Sequence, residues 1–157
     1  MWLVLHDRIL TWNNLLKRGW LGPGICPFCK LNEETPLHIF FHCNFARVIW
    51  QHTCSALGLT GIMHCVSIED YYRHWFSKMR KHRALFLFVV WHIWLSRNAL
   101  IFSGPISNVY LISWRSVHQF SEFSKKQVLL DKLVAPPPII LDYPVGVFDG
   151  ATQGSSG

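Results

Sequence analysis

Three cysteines and a histidine stand at spacings that suit a metal ion. Cys26-Pro27-Phe28-Cys29 follows the Gly/Pro-rich turn Gly22-Pro23-Gly24-Ile25, and His38 and Cys43 complete the pattern C-x2-C-x8-H-x4-C. A CxxC loop lets two thiolates reach one ion while backbone amides stabilise their charge, and His38 and Cys43 close a tetrahedron from the start of a following helix. The expected cofactor is therefore zinc (Zn2+) on Cys26, Cys29, His38 and Cys43. Four protein ligands leave no open position, so the site is expected to be structural rather than catalytic.

Other uses of these residues compete with that reading. His42 lies one helical turn from His38 and beside Cys43, so it is an alternative ligand. Cys54 and Cys65, with His52 and His64, offer material for a second site, against the commoner fate of buried thiols and surface histidines. A redox role for the CxxC needs a preceding strand and an α/β pattern, neither of which the chain displays.

The charge is unevenly placed. The formal net charge is +6, yet no Asp or Glu occurs from Tyr71 to Ser121, a stretch that carries seven Lys and Arg residues. Five of them, Arg73, Lys78, Arg80, Lys81 and Arg83, are interleaved with His74, Trp75, Phe76 and His82. That composition suits phosphate contacts and base stacking, with RNA or DNA as partner and Trp75 and Phe76 as the stacking candidates; the plain alternative is a solvated helix face.

The elements that must position these residues are mostly helical. Apolar spacing predicts a helix over Trp2 to Leu10, then a short one capped by Thr11 and stopped at Gly19. After the cysteine loop, Thr35 and Pro36 open a helix that runs towards Leu57. Further helices are expected from about Ile68, from about Lys81 to Phe102, and from about Asn108 to Lys132. Trp50, Trp91 and Trp94 recur at helical spacing and are expected in the core. Beyond Ala135-Pro136-Pro137-Pro138 the chain changes to a linker and a strand-like Val145-Gly146-Val147-Phe148. The fold class expected is mainly α: a small helical domain around a Cys-Cys-His-Cys zinc loop, a further helical segment and a C-terminal strand stub.

Half of the residues are hydrophobic, which raises the question of a membrane. The longest apolar run without a charge, Ala84 to Leu95, has twelve residues. At 1.5 Å per residue it covers about 18 Å of the roughly 30 Å of hydrocarbon, and so predicts a buried helix with no membrane partner. The N-terminus lacks the basic start and apolar run of a signal peptide. A nuclear or cytoplasmic protein, neither secreted nor transmembrane, is expected.

The blocks Arg8-Ile9-Leu10-Thr11-Trp12-Asn13-Asn14-Leu15-Leu16-Lys17-Arg18-Gly19, Cys26-x2-Cys29, Glu34-Thr35, His38-Ile39-Phe40-Phe41, Cys43 and Ala46-Arg47-Val48-Ile49-Trp50 occur in that order. Together they resemble the zinc-binding domain that follows reverse transcriptase in plant LINE-type (non-LTR) retroelement polyproteins. Trp91-His92-Ile93-Trp94-Leu95-Ser96-Arg97-Asn98 and Phe102 resemble a downstream segment of the same family, and Val147-Phe148-Asp149-Gly150-Ala151 resembles the opening strand of ribonuclease H. The resemblance implies zinc on the same four residues and identifies Asp149 as a vestigial ribonuclease H metal-ligand candidate. It also implies polymerase and ribonuclease H domains as neighbours in a longer chain. The divisions expected are a zinc-binding domain at 1–60, a helical connecting region at 61–134, a Pro-rich linker at 135–144 and a truncated ribonuclease H start at 145–157. One ribonuclease H carboxylate cannot hold two catalytic ions, so no enzyme activity is expected. The function expected is a non-catalytic accessory module that assists nucleic-acid binding, or else a structural spacer between polymerase and ribonuclease H.

Overall fold

A computed structural model describes residues 1–59, 65–102, 104 and 108–134. The expected linker, the strand stub with Asp149, and His64 lie outside the described residues. The described elements are α1 (Trp2–Leu5), α2 (Trp12–Leu16), a π-helical turn (His38–His42), α3 (Asn44–Ala56), α4 (Ile68–Lys78), a 3-10 turn (Arg80–His82), α5 (Arg83–Phe102) and α6 (Val109–Val134). Among the described residues there is no strand, only an isolated antiparallel bridge between Ile25 and Glu33. The mainly helical class expected from the sequence is the one observed.

Helices α3, α5 and α6 pack on one another, with α4 and the π turn against α5. Their apolar stripes meet in an aromatic core. Phe41 stacks on Tyr71 at 4.1 Å between ring centroids, while Trp50 meets Trp75 at 5.4 Å and Phe86 at 5.5 Å. Offset and tilted ring pairs of this kind add to the stabilisation from buried area. Residues from both sides of position 60 therefore share one core.

Small polar residues let the helices approach. Ser113 Oγ donates to the Ile49 carbonyl of α3 at 3.2 Å, and Ser116 Oγ lies 3.0 Å from His92 Nδ1 of α5. Burial lowers the His92 pKa, as does the charge of Arg115, against the Phe88 carbonyl that raises it.

Helix α4 begins at a capping arrangement, with the Ser67 hydroxyl accepting the Asp70 amide and Glu69 and Asp70 in the first turn. The apolar run of twelve proves part of a longer helical stretch. Arg80–Phe102 is, among the described residues, the one stretch long and apolar enough to cross a membrane by length and composition. Here it supplies the middle of the bundle, with Leu85, Phe86, Val89, Ile93, Ser96 and Arg97 all buried. Beside it, α1 and α5 border an apolar groove of about 560 Å³ lined by Leu3, Leu10, Leu87, Trp91 and Phe123 among others.

Candidate metal centre

The cysteine loop is built as a tight knuckle. The Cys26 amide donates to the Asn32 carbonyl at 2.7 Å, and the Lys30 amide returns to the Cys26 carbonyl at 2.9 Å. Lys30 takes the left-handed conformation, φ +55°, that closes the turn. Phe28, at the tip, stacks on Phe45 of α3 at 4.1 Å and pins the loop to the helix.

The other two candidate ligands come from the π turn. In an α-helix, residues five apart point about 140° away from each other. Here the Cys43 amide donates to the His38 carbonyl at 2.7 Å, an i→i+5 bond that brings Cys43 back over His38. The Thr35 hydroxyl accepts the His38 amide at 3.1 Å, so Thr35 caps this turn as its sequence position suggests. At Cys43 the backbone becomes extended, φ −61° and ψ 136°, and α3 starts afresh. The single helix expected from Pro36 to Leu57 is thus two pieces, and the break is what places the last thiol. Trp50 holds the pieces together by donating its indole N–H to the Phe40 carbonyl at 2.8 Å.

The ligand atoms of Cys26, Cys29, His38 and Cys43 all lie within 4.8 Å of one another. Cys26 Sγ is 3.9 Å from Cys43 Sγ, and Cys29 Sγ is 3.3 Å from His38 Nε2. A tetrahedral zinc with bonds of about 2.3 Å to sulphur and 2.0–2.1 Å to nitrogen spaces its ligands by about 3.8 Å and about 3.6 Å respectively. The cluster therefore fits a zinc ion. Cys26 and Cys43 are fully buried, with Cys29 and His38 forming the half-buried rim.

Without a cation this cluster shares protons. The Cys26 thiol is pushed up to about 12 because it donates to Cys43 and is buried. The same bond holds Cys43 below the ordinary thiol value, helped by the Phe45 amide at the N-terminus of α3. Burial pushes Cys29 up, but the Leu31 and Asn32 amides and the His38 ring outweigh it and the net direction is down. His38 is raised, first by its hydrogen bond to Cys26 and then by Cys29, against burial. A bound dication would replace those protons and offset most of the thiolate charge, which is the chemistry this donor set asks for.

His42 stands apart. It is exposed, its Nε2 lies 3.3 Å from the Cys65 carbonyl, and its ring meets the edge of Tyr71, outside the cluster. Among the described residues no second group of metal-ligating side chains forms. Cys54 is buried in α3, where desolvation pushes its thiol up to about 11.

One pairing beside the site escapes motif reading. Glu34, fully buried between the knuckle and the π turn, accepts Arg97 Nε at 2.7 Å and Nη2 at 2.8 Å. Its Oε2 also accepts the Trp12 amide at 2.6 Å, and its own amide donates to the Gly24 carbonyl at 3.0 Å. One carboxylate thus ties the knuckle to α2 and α5. Both residues stand in the blocks that carry the family resemblance, Glu34-Thr35 and Ser96-Arg97-Asn98, but nothing in the sequence names each as the other's partner.

The five basic candidates separate from this centre in the chain. Arg73 and Lys78 lie on α4, Arg80 and Lys81 on the 3-10 turn and Arg83 at the start of α5, all exposed. Arg83 is partly committed, donating to the Phe76 carbonyl at 2.9 Å with its guanidinium 5.9 Å from the Phe76 ring centre. Trp75 is no stacking platform: it is 9% exposed and donates its indole to the His82 carbonyl. Phe76 is half-buried and stacked on Tyr72. Trp50 is core as expected, Trp94 is half-buried beneath Arg97, and Trp91 is 53% exposed.

Residues 1–50 match the family model described as zinc-binding in reverse transcriptase, and all four residues of the cluster fall inside that match. Neither a curated protein nor a solved structure gives a significant match to the chain.

Proposed function

We propose that this chain is a non-catalytic zinc-binding module of a reverse transcriptase polyprotein from a plant LINE-type retroelement, and that it assists nucleic-acid binding during reverse transcription. The observation that carries this reading is the coincidence of a closed Cys3His cluster with the stretch similar to the reverse-transcriptase zinc-binding family. In it, Cys26, Cys29, His38 and Cys43 hold one zinc ion, which supplies charge compensation and a cross-link between knuckle and π turn. The remaining work belongs to the protein: Glu34 and Arg97 hold the knuckle against α5, and Arg73, Lys78, Arg80, Lys81 and Arg83 contact phosphates. In the same reading the chain divides into zinc-binding (1–60), connecting (61–134), linker (135–144) and ribonuclease H-start (145–157) segments, with Asp149 at the position of a ribonuclease H metal ligand. It works in the nucleus or cytoplasm beside polymerase and ribonuclease H domains.

Binding of the zinc-loaded chain to single-stranded RNA across a salt series tests the nucleic-acid role. Five phosphate contacts predict a slope of log affinity against log salt of about −3.5, and Arg80→Gln/Lys81→Gln makes it shallower. No binding at low salt overturns this role. The second reading, a structural spacer between polymerase and ribonuclease H, draws support from Trp75 and Arg97 being spent inside the core and from the exposed apolar groove beside α5. It predicts zinc-dependent folding with no such slope.

A further inference from the structure

Helix α6 carries an aromatic row on the side it turns away from the core. Its buried positions are Ile112, Ser113, Ser116 and Phe120, whereas Tyr110 is 62% exposed and Trp114 is 60% exposed, with His118 exposed one turn further. Each large ring meets a histidine: His52 of α3 tilts against Tyr110 at 4.4 Å and 54°, and His118 stacks on Trp114 at 5.0 Å and 25°. Rings braced on one side and open on the other are preorganised to receive a flat partner.

From these rings and the charge around them we infer that Tyr110 and Trp114, the latter braced by His118, form a stacking platform for the bases of a single-stranded nucleic acid. The inference rests on the nucleic-acid reading above and names a site that reading did not include. Charge complementarity decides the occupant. The row lies in the stretch from Tyr71 to Ser121 that contains no acidic residue, and Arg115 stands beside Trp114 as an exposed cation. The first acid along α6 is Glu122, already bonded to Lys125 at 2.8 Å. Spacing decides the strand state. Positions four apart on a helix rise about 6 Å, more than the 3.4 Å between stacked bases in a duplex. Successive rings therefore take bases that are splayed from one another, as in an unpaired strand.

The test uses the zinc-loaded full chain with three probes of equal length: oligouridylate, an abasic strand with the same phosphates, and duplex RNA. The wild type should bind oligouridylate more tightly than the abasic strand. Trp114→Ala should weaken oligouridylate binding about ten-fold while leaving the abasic affinity and the salt slope unchanged, and Trp114→Phe should restore most of the loss. Circular dichroism and zinc content confirm that each variant is folded. If Trp114→Ala and Tyr110→Ala both bind oligouridylate as the wild type does, the platform is overturned while the phosphate-binding role stands; such a row would then belong to a protein partner. If the wild type binds none of the probes, the nucleic-acid reading and the platform fall together.

Discussion

Arg97 grips Glu34 through two charge-assisted hydrogen bonds of 2.7 and 2.8 Å, and both side chains are almost wholly shut off from solvent. The pair spans 63 residues and joins the cysteine knuckle to the C-terminal half of α5. Trp94 covers the guanidinium face at 5.0 Å, and the Trp12 amide takes part of Glu34's second oxygen. Neither charge is left unpartnered, which is the condition under which a buried pair persists.

Removing one partner breaks that condition. Arg97→Met should cost about 3–5 kcal/mol of unfolding free energy, because it strands a carboxylate in a dry site. Arg97→Met/Glu34→Met should lose clearly less than the sum of the two single variants, with a residual penalty of about 1–3 kcal/mol for the orphaned Trp12 amide. Denaturant titration of the zinc-loaded chain measures both. Additive losses would show that the two side chains do not act as a pair.

The metal cluster makes a separate prediction. Native mass spectrometry should find one zinc per chain, and Cys26→Ser should lose it, since Cys26 is fully buried beside Cys43 and, among the described residues, no further metal-ligating side chain joins the cluster. Chelation should unfold at least the knuckle and π turn, as binding energy and folding energy are one quantity in such sites. His42→Ala should keep its zinc, because His42 faces the Cys65 carbonyl instead. A metal-free chain with the same thermal stability would contradict the site.

The knuckle and its ligands were legible in the sequence because their chemistry is local: the CxxC, His38 and Cys43 lie within eighteen consecutive residues. Most helix positions were legible for the same reason, as periodicity and the Thr35 cap are short-range signals, but the helix expected from Trp2 to Leu10 ends at Leu5, where the chain turns through Asp7 at φ +50°. The π turn was not legible, since the residue types of an i→i+5 turn differ little from those of an α-helix and its break at Cys43 answers to the metal geometry. Thr11 stands at the expected N-cap with extended backbone, yet its hydroxyl makes no cap bond; Glu34, 22 residues away, accepts the Trp12 amide. Long-range pairing of that kind leaves no periodic trace. Trp75 was misplaced because a basic neighbourhood says nothing about which side of α4 meets Phe86.

Burial of His92 predicts a pH effect. Its folded pKa lies below the ordinary 6.5, mainly through desolvation, so the folded state keeps it neutral while the unfolded chain takes up a proton. The stability it contributes is complete above about pH 6.5 and is lost as pH falls from there through the folded value. His92→Gln should therefore lose less stability between neutral and mildly acid pH than the wild type. Zinc release at low pH affects both proteins, so the difference between their slopes isolates His92. Parallel slopes would refute its role.

Two glycines separate backbone strain from an effect on the metal site. Gly24 and Gly58 both have left-handed backbone, φ +67° and +64°, so alanine at either position should cost about 1–2 kcal/mol. Gly58 follows α3 with nothing within 4 Å of an added Cβ, whereas at Gly24 that atom meets Leu16 Cδ1 at 3.2 Å. Gly24 also offers its carbonyl to the Glu34 amide, the contact that sets the base of the knuckle. Gly24→Ala should consequently weaken zinc binding in a competition titration with a chelating dye, and Gly58→Ala should leave it unchanged at a similar loss of stability. Equal zinc affinities in the two variants would mean that the knuckle does not depend on the Gly24 turn.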